Sequence, residues 1–389
     1  MNVAVPLDTV RPATAPISAG LAAFAELGEA EWDALLRQAL DPNPFHGRLV
    51  LTAHAASGLL PERLRFIAVR GGAGLEALLP YLPGGSLVGW RRAHRVWMPP
   101  QFAVDATPLI GSASPEESAE ALVEAMARAG TLWRFPFVAL DGAAGRALVA
   151  ACRRRGFATA AVSSFDRAVL ARCGGGYEAY ARRHLSARRR KGLARQWRRL
   201  GETGRIAAAS FTEGQGLRDA VEAFLQLEAQ GWKGRRGTAL ASRAANAPVG
   251  RALFTAAGAV AGRADVLSLD GRPVAISLAL VSAGTAFLLK TAHDERLRAF
   301  SPGVLLEDAI LRAFLDEGFA DRLDSASLPG SLLDELYADR ERIADLVVAT
   351  DGAITAAALT AMAAKERRRQ AALDRLKAWY WRAIDFAKR

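Results

Sequence analysis

The stretch of residues 285–314 constrains the fold of this chain more than any other, because it predicts a strand, a polar loop and a helix in direct succession. A short apolar run at 286–289 is typical of a strand, and the apolar residues near the end of the stretch keep helical spacing. We expect Ser301 to cap this helix with its side chain and Pro302 to occupy the first turn. The free N–H groups and positive dipole end at such a helix start favour a bound anion.

The loop sequence RAFSPG at 298–303 resembles the Q/R-x-x-G-x-G/A signature of GNAT acetyltransferases, which holds the pyrophosphate of coenzyme A. It departs from that signature at Ser301, where the family has glycine. The longer string at 290–303 looks like the CelD-like acetyltransferase branch, which is related to the Fem peptidyltransferases, and the resemblance spans roughly residues 165–345. It implies acetyl-CoA or another acyl-CoA as co-substrate, bound through Arg298, Ser301, Gly303, Val304 and Leu305. A loop that merely caps a helix is the alternative.

A chain of 389 residues predicts about two domains, and its hydrophobic content of 51% is enough for packed cores. The net charge of +11 is uneven: residues 182–205 hold ten Lys/Arg and one acid, and residues 365–389 hold nine and three. Two basic segments on a mildly acidic body indicate local anionic partners rather than a uniformly basic nucleic-acid binder.

No stretch of the sequence has the length of uncharged apolar residues that a membrane span needs. Residues 1–19 lack the basic start and apolar run of a signal peptide. Cys152 and Cys173 have no metal-ligand spacing, and we interpret them as two ordinary thiols of a reducing cytoplasm. The sequence therefore predicts a cytoplasmic protein without a metal site.

The order of predicted elements indicates an α/β fold of tandem GNAT-like domains, each a mixed, mostly antiparallel sheet flanked by helices. We expect a disordered tail at 1–20, a degenerate GNAT-like domain at 21–165, a catalytic one at 166–350 and a basic amphipathic helix at 351–389. The helix predicted near 116 follows no R-x-x-G-x-G counterpart, so we expect the first domain not to bind coenzyme A.

Within the second half, the sequence predicts helices at 252–261 and 331–339 and a strand at 321–327. The Trp-Lys-Gly element at 232–234 resembles the CelD-like branch. Trp232, Lys233 and Lys290 are therefore candidate substrate-binding residues. A lone exposed lysine is the alternative for Lys233.

Transfer of an acyl group from a thioester needs a base for the acceptor, a polarised carbonyl and an acid for the leaving thiolate. His293, Asp294 and Glu295 lie where the central strand opens into the loop. Asp294 or Glu295 is the candidate base, directly or through water, and His293 can substitute. Ordinary solvated loop charges are the alternative for each.

Two further residues follow the central helix. Asp324 stands in an otherwise apolar strand, so it needs a partner and is either a site residue or paired with a buried base. Tyr337 resembles the tyrosine with which GNAT enzymes protonate the coenzyme A thiolate. An ordinary packing tyrosine is the alternative.

The function that these features indicate is an acyl-CoA-dependent N- or O-acyltransferase. The CelD-like resemblance implies a small-molecule or saccharide acceptor, with the amine or hydroxyl of a cell-surface polysaccharide precursor as the example. The alternatives are a Fem-like transferase that uses aminoacyl-tRNA, the one reading with a nucleic-acid partner, and a non-catalytic GNAT-fold module at a membrane surface.

The predicted C-terminal helix carries the consecutive aromatics Trp379, Tyr380 and Trp381 and an upstream cluster of arginines at 367–369. Consecutive residues lie about 100° apart on a helix, so one narrow docking stripe cannot hold all three rings. Aromatic and basic residues together suit the surface of an anionic membrane. Packing of the helix on the protein body is the alternative.

Overall fold

The computed structural model describes residues 17–72, 74–102 and 104–387. The strands are β1 (Ser18–Ala22), β2 (Arg65–Gly71), β3 (Gly74–Val88), β4 (Arg91–Val96), β5 (Leu109–Ile110), β6 (Leu132–Ala139), β7 (Ala158–Ala171), β8 (Ile206–Phe211), β9 (Val260–Leu269), β10 (Arg272–Ser282), β11 (Thr285–His293), β12 (Arg322–Asp324) and β13 (Asp339–Ala349). The helices are α1 (Glu29–Gln38), α2 (Arg48–Ala56), α3 (Pro115–Ala129), α4 (Ala143–Arg154), α5 (Gly176–His184), α6 (Ala187–Gly201), α7 (Gly214–Gln230), α8 (Trp232–Arg235), α9 (Asn246–Phe254), α10 (Pro302–Asp316), α11 (Leu333–Leu336) and α12 (Ala356–Ala387).

In the part of the chain that the structure describes, the strands form one continuous mixed sheet. Its order is β1-β2-β3-β4-β6-β13-β7-β12-β11-β10-β9-β8, with β5 paired to β3 at one side. The order has a centre of pseudo-symmetry between β13 and β7: β1 to β4 mirror β8 to β11, and β6 mirrors β12. Each half also contains one parallel pair, β4 with β6 and β11 with β12.

The two halves exchange their last strands. β13, from the second half, lies between β6 and β7, and β7 pairs in turn with β12 of the second half. Strand β7 spans the predicted boundary at residue 165. The fold class predicted from the sequence, tandem mixed sheets flanked by helices with a C-terminal helix, is confirmed, whereas the exchange was not foreseen.

Helices cover both faces of the sheet in the second half. On one face, α7 and α9 pack on β9, β10 and β11 through Phe224, Leu253 and Ile276. On the other face α10 lies against the same strands, with α5 and α6 outside it. The first face also joins the halves, because Phe45 stacks edge-on against Phe287 of β11 with ring centroids 5.3 Å apart.

Three local predictions were wrong in extent. The helix expected at 252–261 runs Asn246–Phe254, and β9 already begins at Val260. The helix expected at 331–339 is a single turn, α11, because Asp339 starts β13 and accepts the Ala171 N–H at 3.0 Å. The strand expected at 321–327 ends at Asp324.

Both ends of the chain are described in part. Most of the predicted tail at 1–20 lies outside the described residues, but Ser18 to Gly20 belong to β1 and pair with β2. Helix α12 is attached to the body through Glu366, which is buried and pairs with Arg134 at 3.1 Å. The side chains of Tyr380 and Trp381 lie outside the described residues, whereas Trp379 is exposed.

Candidate functional site

The central feature of the site is a gap in the sheet beside β11. Strand β11 pairs with β12 only over three positions, Thr285 to Phe287 opposite Arg322 to Asp324. Strand β12 then ends, because Asp324 accepts the Ala326 N–H at 2.7 Å and Ala326 takes a positive φ of 45°, which turns the chain aside. Strand β11 continues to His293, and within the described chain no strand pairs with its edge facing away from β10 over the last six residues.

Helix α10 begins at the mouth of this gap with an unusual backbone conformation. Ser301 has φ 54° and ψ 53°, in the left-handed region that few residues other than glycine adopt readily. The predicted side-chain cap is therefore wrong. The Ser301 carbonyl accepts the N–H groups of Val304 and Leu305, at 2.9 and 3.2 Å, and its hydroxyl accepts Gln196 Nε2 at 3.2 Å. The position where the signature has glycine is thus one whose geometry favours glycine.

Gly303, in the first turn of α10, lies directly beside His293. A Cβ added to Gly303 would be 3.4 Å from His293 Nδ1, an ordinary contact that leaves room for a methyl group. The backbone at this turn is therefore open toward the end of β11. A group that approaches the helix start from the gap meets Gly303 and the His293 imidazole together.

A cavity of about 370 Å³ opens at His293 and is lined by three arginines and two carboxylates. Arg235, Arg296 and Arg298 line it together with His293. A second cavity of about 610 Å³ shares Gln230 and Asp294 with it and continues along α7 to the β9–β10 hairpin. The two cavities form one groove that leads from His293 at the end of β11 along α7 to the β9–β10 hairpin.

Asp294 and Glu295 are both engaged in ion pairs. The Arg296 guanidinium binds Asp294 at 2.7 Å and, with the Arg296 N–H, lowers the pKa of that carboxyl. Arg235 binds Glu295 at 2.6 Å and lowers the pKa of Glu295, aided by the Trp232 N–H. A carboxylate held in this way accepts a proton poorly. Both residues therefore fix the loop in place.

His293 differs from its two neighbours. Among the described residues its imidazole makes no side-chain hydrogen bond, and it lines both the 370 Å³ cavity and a small one of about 50 Å³ beside Lys233. The structure thus places Arg298 in the same cavity as His293, and Gly303 beside His293, at the mouth of the gap.

Lys233 connects α8 to the open edge of β11. Its ammonium donates to the carbonyl oxygen of Thr291 at 3.3 Å and pairs with the buried Glu228 at 3.1 Å. The other oxygen of Glu228 accepts the Leu240 N–H at 2.8 Å. Trp232, one residue before, is largely exposed. Lys233 and Trp232 therefore border the site, whereas Lys290 lies farther along β11 on the α7 face.

The remaining two candidates are buried. Asp324 lies 3.7 Å from Arg167, so of the two alternatives the structure shows the pairing with a buried base. Tyr337 is 2% exposed, and its hydroxyl has no hydrogen-bond partner among the described residues. Burial, and secondarily the charge of Glu307, raises the pKa of Tyr337 far above its ordinary value. The hydroxyl therefore remains protonated and able to donate.

A polar row beneath α10 was not predicted from the sequence. Asp265, Ser277 and Thr291 lie side by side on β9, β10 and β11 and face the helix. Thr291 donates to Glu307 of α10 at 3.1 Å, and burial raises the pKa of Glu307 to about 7. The signal was present in the helical spacing, because Glu307 is four residues after Gly303 and three before Ile310 on the packed side of α10.

Helix α6 was predicted as basic but was not placed near the loop. Its Gln196 reaches Ser301, and the guanidinium of Arg199 lies 5.5 Å from the centre of the Phe300 ring. The exposed cations of this helix are Arg188, Lys191, Arg195, Arg198 and Arg199. They extend the positive surface beside the start of α10. No three His, Cys, Asp or Glu residues of the described chain lie close enough together to hold a metal ion.

Comparison with known proteins gives one family match. Residues 187–331 match the model of the acetyltransferase (GNAT) domain, a range that contains every candidate site residue except Tyr337. No curated protein matches this sequence.

Solved structures resemble the whole chain at low sequence identity. FemX is 10% identical with a TM-score of 0.53, over 83% of this chain and 96% of FemX. A conserved protein of unknown function from Bacteroides thetaiotaomicron VPI-5482 is 13% identical with a TM-score of 0.51, over 83% of this chain and 98% of that one. At such identities the likeness concerns the fold alone.

Proposed function

We propose that this protein is an acyl-CoA-dependent acyltransferase that passes an acyl group from coenzyme A to an amine or hydroxyl by direct attack on the thioester. The observation that carries the proposal is the gap beside β11, with the start of α10 and Arg298 at its mouth. The match of residues 187–331 to the GNAT domain supports it. The narrower assignment to the CelD-like branch rests on the resemblance of residues 290–303 alone.

The residues at the gap fit acyl-CoA as co-substrate. Arg298 and the open turn at Gly303 suit a pyrophosphate, because a helix start and a guanidinium both favour phosphate oxygens. The cations of α6, next to Phe300, suit the remaining phosphate. Apart from the Thr291 carbonyl, which Lys233 holds, the strand edge from 288 to 293 offers backbone N–H and C=O groups to the amides of an extended arm, in the manner of an added strand. Coenzyme A supplies the activated thioester.

His293 is the base that the geometry favours, because Asp294 and Glu295 are held by Arg296 and Arg235. A neutral imidazole at the mouth of the gap can take the proton from an acceptor amine or hydroxyl. Tyr337, protonated and without a hydrogen-bond partner, is the proposed proton donor to the leaving thiolate. Asp324 pairs with Arg167 inside the protein and takes no part in this reaction scheme.

The acceptor enters along the groove on the α7 face. Its volume of about 610 Å³ and its polar lining, with Gln226, Gln230 and Arg272, suit a hydrophilic molecule such as a saccharide. Trp232 and Lys233 line the small cavity of about 50 Å³ that adjoins the groove at His293. A precursor of a cell-surface polysaccharide is the acceptor class that the CelD-like resemblance adds.

A second candidate function has its own support. The fold likeness to FemX and the exposed cations of α6 favour a transferase that takes an aminoacyl group from tRNA, because adjacent cations bind a phosphate backbone. Loss of chemistry on a retained fold is the third candidate, and Ser301 at a position where the signature has glycine favours it.

We also propose that the protein binds peripherally to the inner face of an anionic membrane through the distal half of α12. Among the residues that the structure describes, every helix is too short or too polar to traverse a bilayer. Beyond Arg369, however, α12 exposes Leu373, Leu376 and Trp379 on one side, at 41%, 60% and 65%. Apolar and aromatic residues among arginines and lysines suit the lipid headgroup region.

Calorimetric titration of the purified protein distinguishes the candidate functions. Saturable binding of acetyl-CoA, without retention of aminoacyl-tRNA, supports the acyltransferase. Retention of aminoacyl-tRNA without acetyl-CoA binding supports the Fem-like alternative. Binding of neither supports the non-catalytic module and rejects the proposal.

A further inference from the structure

Lys290 occupies an unusual position on β11. It lies three residues beyond Phe287, the last position paired with β12, and therefore beside the gap. It pairs with Leu278, which belongs to the apolar core between the second half and the first. Its ammonium lies 5.3 Å from the centre of the Phe102 ring, which comes from the first half of the chain. Lys290 thus faces the junction of the halves, on the opposite side of β11 from α10.

Lys290 is a cation without a paired carboxylate in the described part of the chain. Its Nζ makes no hydrogen bond or ion pair there and lies over the Phe102 ring. Glu228, the carboxylate whose charge acts on Lys290, already binds Lys233 with one oxygen and the Leu240 N–H with the other. Burial is the main cause that lowers the pKa of Lys290; the charge of Lys233 adds to it, and that of Glu228 opposes it. At a given pH, a larger fraction of Lys290 is therefore neutral amine than of a solvated lysine.

Lys290 lies on the path that an arm entering the gap from Gly303 would follow along β11. Strand residues rise about 3.3 Å each, so the backbone of Lys290 lies about 10 Å from that of His293, into the gap. A coenzyme whose pyrophosphate rests at Gly303 and whose arm follows the free edge of β11 carries its thioester inward, toward Phe287. Two lysines lie beside this path, and of these Lys233 is paired with Glu228 whereas Lys290 has no ion pair among the described residues.

We propose that Lys290 is a self-acylation site, whose side-chain amine takes the acyl group from acyl-CoA bound at the gap. This inference rests on the proposed function. The neutral Nζ attacks the thioester carbonyl carbon, a C–N bond forms and the C–S bond breaks. The coenzyme leaves as thiolate. The nitrogen releases one proton and the thiolate takes up one proton, so that the products are acyl-lysine and coenzyme A.

Acylation also removes the positive charge of this side chain from its apolar surroundings. An amide carries no charge and needs no counter-ion, so it is better suited to the apolar junction around Phe102 and Leu278 than an ammonium is. The modified lysine places the acyl group where an acceptor would approach. Acylated protein is therefore expected to turn over its acceptor more slowly.

The test uses the full chain and acetyl-CoA at pH 8, with site occupancy measured by peptide mass spectrometry. The other lysines of the sequence, Lys191, Lys233, Lys365, Lys377 and Lys388, serve as internal references. We expect acetylation at Lys290 to be at least about tenfold faster than at Lys191 or Lys365, because the bound thioester is held close to the amine. Lys290→Met should lose this signal and keep acetyl-CoA binding by calorimetry.

Two controls separate the inference from the proposed function. Gly303→Glu should prevent acetylation of Lys290 by acetyl-CoA, whereas acetic anhydride, which needs no coenzyme site, should still label Lys290 in that variant. Acetyl-CoA binding without preferential labelling of Lys290 overturns the self-acylation site and leaves the acyltransferase standing. Absence of acetyl-CoA binding overturns both. Equal labelling in wild type and Gly303→Glu marks the modification as non-enzymatic and also overturns the inference.

Discussion

The Lys233 ammonium donates to the carbonyl oxygen of Thr291 at 3.3 Å, so a side chain from α8 holds the strand edge that β12 leaves open. The same ammonium neutralises Glu228, whose side chain is 1% exposed. Lys233 therefore links the loop after α7 to the central strand of the candidate site. Its role is to bind and orient the protein's own groups at the place where the coenzyme arm is proposed to lie.

Lys233→Met should destabilise the protein by ~2 kcal/mol, because it leaves the Glu228 carboxylate buried without its cation. A fully buried pair loses about 3–5 kcal/mol when one partner is removed, and the partial exposure of Lys233 reduces this. Urea unfolding measures the change. The double variant Lys233→Met/Glu228→Gln should recover most of it. If the single variant unfolds at the wild-type urea midpoint, the pair is not a structural link.

With an identified acceptor, His293→Gln should lower kcat by a factor of about 10²–10³, because a general base contributes factors of this size. Asp294→Asn should change kcat by less than about threefold. Asp294 is held by Arg296, and the pKa of its carboxyl is lowered, so it is a poor proton acceptor. Steady-state kinetics on both variants, with melting temperatures as the folding control, measures the difference. If kcat fell strongly in Asp294→Asn and not in His293→Gln, Asp294 would be the general base.

Glu307→Gln should become progressively more stabilising as the pH rises. The pKa of Glu307 is raised from 4.5 to about 7 by burial, so the folded state keeps a proton that the unfolded state releases. The stability contributed by this proton is complete below pH 4.5 and is lost as the pH rises to about 7, by about 3 kcal/mol in all.

Glutamine resembles the protonated acid, so the variant and wild type should match near pH 4.5 and differ by about 3 kcal/mol at pH 8. Asp105, whose pKa is also raised to about 7, is present in both proteins. The difference between their free energies of unfolding therefore reports the titration of Glu307 alone. Guanidinium unfolding at both pH values measures it. If the free energies of unfolding of wild type and variant changed equally between the two pH values, Glu307 would be solvated or paired in solution.

Deletion of residues 371–389 should abolish binding to anionic vesicles at low salt and leave the fold intact. The shorter chain keeps Glu366, which pairs with Arg134 at 3.1 Å and with Arg369 at 2.6 Å, so the docked half of α12 remains. A deletion from 365 would remove this buried partner and confound the result. Co-sedimentation with vesicles that contain phosphatidylserine tests the claim, and equal recovery of both chains in the supernatant would refute it.

The sequence could predict the local elements of the site because their signals are local. The apolar run before the loop, Pro302 at the helix start and the glycine beside it located β11 and α10 correctly. The ion pair of Asp294 with Arg296 is also local, two residues apart, and was within reach of sequence reasoning.

The rest depended on contacts between distant parts of the chain. The exchange of β7 and β13 joins residues 158–171 to 339–349, and strand periodicity carries no information about which strands pair. Arg235 and Arg167, the partners of Glu295 and Asp324, likewise come from remote segments. The left-handed backbone at Ser301 could be inferred only from the glycine of the resembling signature. These long-range contacts decide which candidate groups remain available at the site.

The central claim is that coenzyme A is held at the first turn of α10, and Gly303 tests it with a matched pair of variants. A Cβ at Gly303 would meet His293 Nδ1 at 3.4 Å, an ordinary contact. Gly303→Ala should therefore fold and bind acetyl-CoA with an affinity within about threefold of wild type. A glutamate side chain at the same position places bulk and negative charge against the pyrophosphate. We expect calorimetry to show at least about a hundredfold weaker acetyl-CoA binding for Gly303→Glu, at an unchanged melting temperature. Wild-type affinity in a folded Gly303→Glu protein would contradict it.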